Sequence, residues 1–265
     1  TQRERQVLQL IEKDPLISQQ QIADALGITR SSAAVHISNL SRKGLIAGRG
    51  YVLRSGSYAV VVGGVNVDIG GRSFAPLVAA DSNPGRVTVS LGGVGRNIAH
   101  NLSLLGTDVR LLTAYGEDTH GAQVAASCSE LGIDLSHALR TADAPTSTYL
   151  YLADNRGEMA LAVSDMSICD RISPSYLASQ LPLLQNAQVV VADTNIPQES
   201  LEFLTENCNV PLFIDPVSTI KAEKIRGILP GIHTLKPNAL EAELLSGVPI
   251  HGPEDTRQAA EKLLE

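Results

Sequence analysis

Apolar positions in the first 54 residues recur at helical spacing and fall into three blocks. Val7, Leu8 and Ile11 mark a helix that ends near Asp14-Pro15, and Ile22, Ala23 and Leu26 mark a second that stops at Gly27. A third is predicted from Arg30 to Lys43, where Ala33, Ala34, Ile37 and Leu40 form a buried stripe. Ser32, Val35, His36, Asn39, Arg42 and Lys43 face the other way. Two helices joined by the short turn Gly27-Ile28-Thr29, then a third with a polar, basic outer face, make a helix-turn-helix arrangement. The tail Gly44 to Leu53 reads as a short hairpin, which makes the unit winged.

After a joint at residues 55–57 the period changes. Strand-like runs at Tyr58 to Ile69, Val87 to Leu91, Val109 to Ala114, Gln188 to Ala192, Pro211 to Ile214 and Thr234 to Lys236 alternate with helix-like runs. The helical runs start at Asn97, His120, Gln198, Ala239 and Pro253, with a basic helical run before Leu229. Alternation of this kind predicts an α/β body at 58–265, a mainly parallel sheet with flanking helices whose ligands sit at the carboxyl ends of the strands. Two adjacent strand-like runs, Thr148 to Ala153 and Glu158 to Val163, form a hairpin around Asp154-Asn155-Arg156-Gly157 that breaks the alternation and suits a small β lid.

Charge separates the two parts. Residues 1–54 hold eight Lys/Arg against four Asp/Glu and the remainder thirteen against twenty-four, for a net −7 over 265 residues. A basic head on an acidic body implies that only the head meets a polyanion. The three cysteines, Cys128, Cys169 and Cys208, lack CxxC spacing and leave one over, which indicates free thiols in a reducing compartment. The amino-terminal stretch has no signal-like apolar core, and no apolar run approaches the ~20 residues a membrane helix needs. These features predict a soluble, cytoplasmic protein without a membrane partner.

Candidate chemistry gathers at strand ends. Gly92 to Asn97, GGVGRN, lies between a strand-like and a helix-like run; its paired glycines let backbone approach a ligand, and Asn97 falls where a helix presents unpaired amides. A tight turn that binds nothing uses the same glycines. Asn66 and Asp68 follow the buried run Ala59 to Val62 and, two apart on an extended segment, face one side. An Asp accepts two hydroxyl hydrogen bonds at once, which suits a sugar diol; equally, Asp68 serves as a cap on the turn into Gly70-Gly71. Glu158 is a third polar candidate beside the hairpin turn. Asn238 with Glu241 three residues on is a capping box, and a carboxylate there also suits hydrated Mg²⁺ beside phosphates.

Two resemblances follow. Ser18-Gln19, Ile22-Ala23, Leu26-Gly27-Ile28-Thr29 and Ala33 resemble the winged helix-turn-helix modules of bacterial transcription regulators. That resemblance implies DNA binding by residues 1–54, with Thr29, Arg30, Ser31, Ser32, His36 and Asn39 near base edges or phosphates and Lys43 and Arg49 near the backbone. Such a head reads half a site, so a homodimer is expected. A docking or dimerisation role is the alternative.

The body resembles the ribokinase-like (PfkB) family of carbohydrate and nucleoside kinases. Gly63-Gly-Val-Asn-Val-Asp68 matches its G-x-x-N-x-D, GGVGRN its G-G-x-G-x-N and Lys236-Pro-Asn-Ala-Leu-Glu241 its K-P-N-x-x-E, in the family's order. Ala80-Asp-Ser-Asn-Pro-Gly85 and Asp215-Pro-Val-Ser218 look like the pseudouridine kinase branch. The resemblance implies that Asn66, Asp68, Gly92, Gly93 and Asn97 hold the sugar and that Glu158 reaches it from the lid. It places Asn238 and Glu241 near the phosphates of ATP, with Glu241 on Mg²⁺ through water, and implies transfer of a phosphoryl group from ATP to the 5′-hydroxyl of a nucleoside or sugar substrate. A ligand-responsive regulator built on a kinase-like domain is the competing reading. The family's catalytic Asp lies in a G-A-G-D motif that does not occur in these 265 residues, so the catalytic base is unassigned. A carboxyl-terminally truncated, catalytically inactive kinase domain is the expectation.

Overall fold

The structure, a computed structural model, describes residues 1–46 and 57–264. Most of the expected wing, with Arg49 in it, and all of the joint except Ser57 lie outside the described residues. The chain divides into two compact units, Thr1–Ser57 and Tyr58–Glu265.

In the first unit the apolar spacing produces α1 (Gln2–Lys13), α2 (Gln19–Leu26) and α3 (Arg30–Arg42). Ser18 and Gln21 close a capping box at the start of α2, Gly27 ends it in the left-handed region at φ 61°, and Thr29 caps α3. Helices this short are marginal alone and are held by the core they share, which includes Val7, Ile11, Ile22, Ala33, Ile37 and Leu40.

The second unit opens with β1 (Tyr58–Val62), β2 (Asn66–Ser73), β3 (Gly85–Gly92), α4 (Val94–Leu104), β4 (Asp108–Leu112), β5 (Ala114–Gly116) and α5 (Thr119–Glu130). It continues through β6 (Ile133–Asp134), β7 (Leu139–Thr141), β8 (Thr148–Ala153), β9 (Met159–Asp165), α6 (Pro174–Ser179), α7 (Leu181–Gln185) and β10 (Val189–Asp193). Then come α8 (Gln198–Asn207), β11 (Leu212–Asp215), α9 (Thr219–Ala222), β12 (Thr234–Leu235), α10 (Ala239–Ser246) and α11 (Pro253–Leu264). The basic run before Leu229 is only the single turn of α9 with short 3-10 turns at Glu223–Ile225 and Leu229–Gly231.

Six strands form a parallel sheet in the order β12-β11-β10-β1-β4-β6. Every residue of the central β1 is buried, as expected of a parallel strand covered on both faces. Val60 and Val62 point into one core with Leu112, Val190 and Ile214; Val61 points into the other with Ala99, Leu111 and Val124.

The expected strand Tyr58 to Ile69 is two strands in two sheets. Gly63-Gly64-Val65 breaks it, and β2 leaves to join a second sheet in the order β3-β2-β8-β9. There β2 pairs antiparallel with β3 and parallel with β8, while β8 and β9 form the expected hairpin. The lid is therefore a four-stranded sheet that carries the Asn66–Asp68 motif itself. Among the described residues no helix is long and apolar enough to cross a membrane.

Candidate functional site

The strand-end bend at Gly63-Gly64-Val65 turns Asn66 and Asp68 onto one face at the root of β2. Asn66 is buried and its Nδ2 donates to Asp68 Oδ1 at 2.6 Å, which fixes the carboxylate's orientation. β3 returns so that Gly92 lies opposite Asn66 and Ser90 opposite Asp68. A β-carbon at Gly92 would overlap the Asp68 carboxylate and crowd the Asn66 amide. At Gly93 the backbone adopts φ 96°, and a β-carbon there would overlap the Gly64 carbonyl. The two glycines thus let the β3–α4 turn close onto the β1–β2 turn, and four of the residues read from sequence converge.

A residue that the sequence reading left without a role holds these turns together. Asp193, at the end of β10, is fully buried; its Oδ2 accepts from Gly64 N at 3.0 Å and Gly95 N at 2.6 Å, and its Oδ1 from Asn195 N at 2.9 Å. Burial pushes the Asp193 pKa up, against the pull of those donors. Asn195 in turn accepts from Lys221 Nζ at 2.5 Å, while Lys224 Nζ donates to the carbonyls of Thr194 and Ile196 at 3.0 and 2.8 Å. The only local signal was an acid closing an apolar strand, Val189-Val-Val-Ala-Asp193.

Asn97 is not at the helix start: α4 begins at Val94 with Gly93 as its cap, and Asn97 is an exposed residue at the end of the first turn. Nor are the first-turn amides open, because Gly95 N is taken by Asp193 and Arg96 N donates to the Gly64 carbonyl at 3.2 Å. The arrangement presents a carboxylate–amide pair, not an anion-binding helix end. Glu158 is likewise apart. It is exposed in the β8–β9 turn, its amide donating to Asp154 Oδ1 at 3.0 Å, beside the Arg72–Ala153 row and about 13 Å along the strand from Asp68.

Asn238 and Glu241 realise the capping box of α10. Glu241 N donates to Asn238 Oδ1 at 2.9 Å, while Asn238 N and Nδ2 each donate to a Glu241 oxygen at 2.8 Å. Glu241 is 3% exposed, so both oxygens are occupied and buried. No group of three His, Cys, Asp or Glu that could hold a metal occurs among the described residues. Glu241, expected to reach Mg²⁺ through water, is held in the helix cap. The nearby Lys236 Nζ is paired with Asp215 Oδ2 at 3.1 Å.

In the first unit, Arg30 and Ser31 are exposed at the start of α3. Thr29 and Ser32 are bonded to each other at the cap, with 2.9 Å between their hydroxyls. His36 is half-buried and its Nδ1 is buried without a partner; Asn39 Oδ1 accepts from Arg42, and Lys43 Nζ is paired with Glu4 at 2.8 Å. The thiols are poor nucleophiles: burial pushes Cys169 up to about 12 and Cys208 up to about 11.

Residues 57–265 match the pfkB family carbohydrate kinase, and residues 1–47 match winged helix-turn-helix DNA-binding domains. The uncharacterized sugar kinase YeiI of Escherichia coli (strain K12) is 42% identical over 98% of this chain and 72% of its own length. The pseudouridine kinase of the same organism is 46% identical over 78% of this chain and 67% of its own. Among solved structures, a carbohydrate kinase from Agrobacterium tumefaciens aligns with a TM-score of 0.67 at 29% identity, covering 77% of this chain and 67% of that one. With the parallel sheet, the four-stranded lid and the carboxylate–amide–glycine cluster in place, this chain belongs to the pfkB family of carbohydrate kinases and carries an amino-terminal winged helix-turn-helix unit.

Proposed function

We propose that the body is the substrate half of a kinase that takes a phosphoryl group from ATP to the 5′-hydroxyl of pseudouridine or a related nucleoside or sugar. One observation carries this reading: Asn66, Asp68 and the Gly92-Gly93 bend meet at one point, with the Asp68 carboxylate steered by Asn66 and bare glycine opposite. A vicinal diol fits there, because one carboxylate accepts from both hydroxyls. The lid strand that bears Asp68 then covers the sugar and excludes water, which competes as acceptor. The identity to a pseudouridine kinase supports the nucleoside over a bare sugar. ATP supplies the phosphoryl group when bound, and no step is assigned to Mg²⁺.

Transfer also needs a base, which the family takes from the G-A-G-D motif missing from these 265 residues. The chain is therefore proposed to bind nucleoside without phosphorylating it. Titration calorimetry with pseudouridine and with ribose tests the binding, and a radiolabelled-ATP assay tests the inactivity. Saturable binding with no labelled product is expected. Absence of any binding sinks the substrate site, and labelled nucleoside 5′-phosphate sinks the inactivity.

The head is proposed to bind DNA through α3, with Arg30 and Ser31 the exposed contacts. A nucleoside-responsive regulator is the second reading, favoured by the winged helix-turn-helix match. It requires that pseudouridine change the DNA affinity, and an unchanged affinity removes it.

A further inference from the structure

Beyond Asp68 the same face of the lid sheet continues as a cleft of about 530 Å³, for which the sequence motifs give no role. Register defines its floor and walls. Asp68 lies opposite Ser90, Gly70 opposite Thr88, and Arg72 opposite Arg86, in three successive rows. Each row is about 7 Å from the next, so the cleft begins one row from the sugar site. On the other flank Tyr151 pairs with Gly70 and lays its ring across it: a β-carbon on Gly70 would sit 2.5 Å from the ring's Cζ and hydroxyl oxygen. Glycine is what allows a flat aromatic surface in line with the diol grip.

The polar lining is dominated by donors. Arg72 and Arg86 stand directly opposite each other, an arrangement that costs free energy through like-charge repulsion. Among the described residues neither is ion-paired with a carboxylate, and no Asp or Glu lines the cleft. Arg72 Nη2 donates to the Asn155 carbonyl at 2.8 Å, and Thr88 donates its hydroxyl to the Gly70 carbonyl at 3.3 Å. Uncompensated guanidinium groups beside an aromatic plane call for a flat ligand with carbonyl oxygens on its rim.

We propose that this cleft is the base subsite, and that it selects an oxo-substituted nucleobase, such as a uracil-type ring, over an amino-substituted one. The ring stacks on Tyr151 and its carbonyl oxygens accept from Arg86 and Arg72. An exocyclic amino group in that position would place donor against donor and leave a guanidinium unpaired. The inference rests on the sugar site proposed above and extends it to what is attached at the anomeric carbon.

The test is calorimetric titration of the whole chain and of Arg86→Ala with pseudouridine, uridine, cytidine and ribose, with Thr88→Val as a second variant. Arg86 is exposed and its removal leaves no buried group unpaired, so the fold should survive. The wild-type chain is expected to bind uridine and pseudouridine at least tenfold more tightly than cytidine or ribose. Arg86→Ala should lose that tenfold and leave ribose affinity where it was. Equal affinity for uridine and cytidine, or an oxo-base affinity untouched by both variants, overturns the subsite while leaving the sugar site standing. Tighter binding of ribose 1-phosphate than of pseudouridine, lost in Arg86→Ala, overturns it in favour of an anion site. If ribose and the nucleosides all fail to bind the wild-type chain, the sugar site falls and the subsite with it.

Discussion

Asp68 concentrates the proposed recognition in one side chain. Its position was legible because two residues apart on a strand share a face, and the 2.6 Å contact from Asn66 is the direct consequence of that period. Asp68→Ala removes the acceptor of two hydroxyls without opening a core cavity, because the residue is only half-buried. Nucleoside binding measured by calorimetry should weaken by about 1–3 kcal/mol, and the unfolding midpoint should fall only modestly, because the buried Asn66 amide loses its acceptor. Asp193 behaves oppositely. Its partners Gly64 and Gly95 lie 129 and 98 residues away in sequence, so no local pattern announces that one buried carboxylate ties both glycine turns. Asp193→Ala strands those buried amides, and although it also relieves the cost of burying a charge, a loss of about 2–4 kcal/mol in urea unfolding is expected. A variant as stable as the parent would mean that the turns hold themselves.

At the scale of elements, the helices of the first unit and α10 were the readable part. The apolar period holds for α1 to α3, α1 ends at Asp14 and α2 at Gly27 as expected, and α10 was foreseen with both members of its capping box. What sequence did not disclose was pairing. The apolar run from Tyr58 to Ile69 continues through the bend at Gly63, so its division between two sheets is invisible until β3, at Gly85–Gly92, is seen to pair with its second half. Asn97 was misplaced for a related reason: a glycine turn fixes where a helix starts only once its backbone angles are known. In the first unit the Glu4 carboxylate, paired with both the Lys43 ammonium and the amino group of Thr1, makes a pH-dependent contribution. The Lys43 ammonium first, and the Thr1 ammonium with it, hold that carboxyl down at about 2, below its ordinary 4.5. A depressed carboxyl adds stability that is fully present above its unfolded pKa and is lost as pH falls toward the folded one. Protection of the Ile11 and Ile37 amides against hydrogen exchange should therefore decline from about pH 4.5 downward toward pH 2. In Glu4→Gln that decline should be shallower; an identical slope would remove the Glu4 pairs from the balance.

For the molecule as a whole, the lid has a second face, turned away from Asp68. Two cross-strand rows on it, Val89-Ile69-Leu150-Val163 and Val87-Gly71-Leu152-Leu161, set apolar side chains side by side. Val87 is 70% exposed, Leu161 61% and Val163 58%, with no charge in either row. A contiguous apolar sheet face of this kind marks an interface. A second copy of this chain is the proposed occupant, because an uncharged, repetitive face is complementary to itself about a two-fold axis, and the DNA binding proposed for the head calls for two heads if each reads half a site. Replacing Val89 and Leu161 with Lys puts four like charges across such a junction. Sedimentation velocity should show a dimer for the parent chain and a monomer for the double variant, while affinity for a single half-site stays the same. Binding to a palindromic site should then lose its cooperativity, and its steep salt dependence should fall toward that of one head, since fewer phosphates are neutralised per event. A parent chain that sediments as a monomer at tens of micromolar would leave this face to another partner and the two heads unlinked through it.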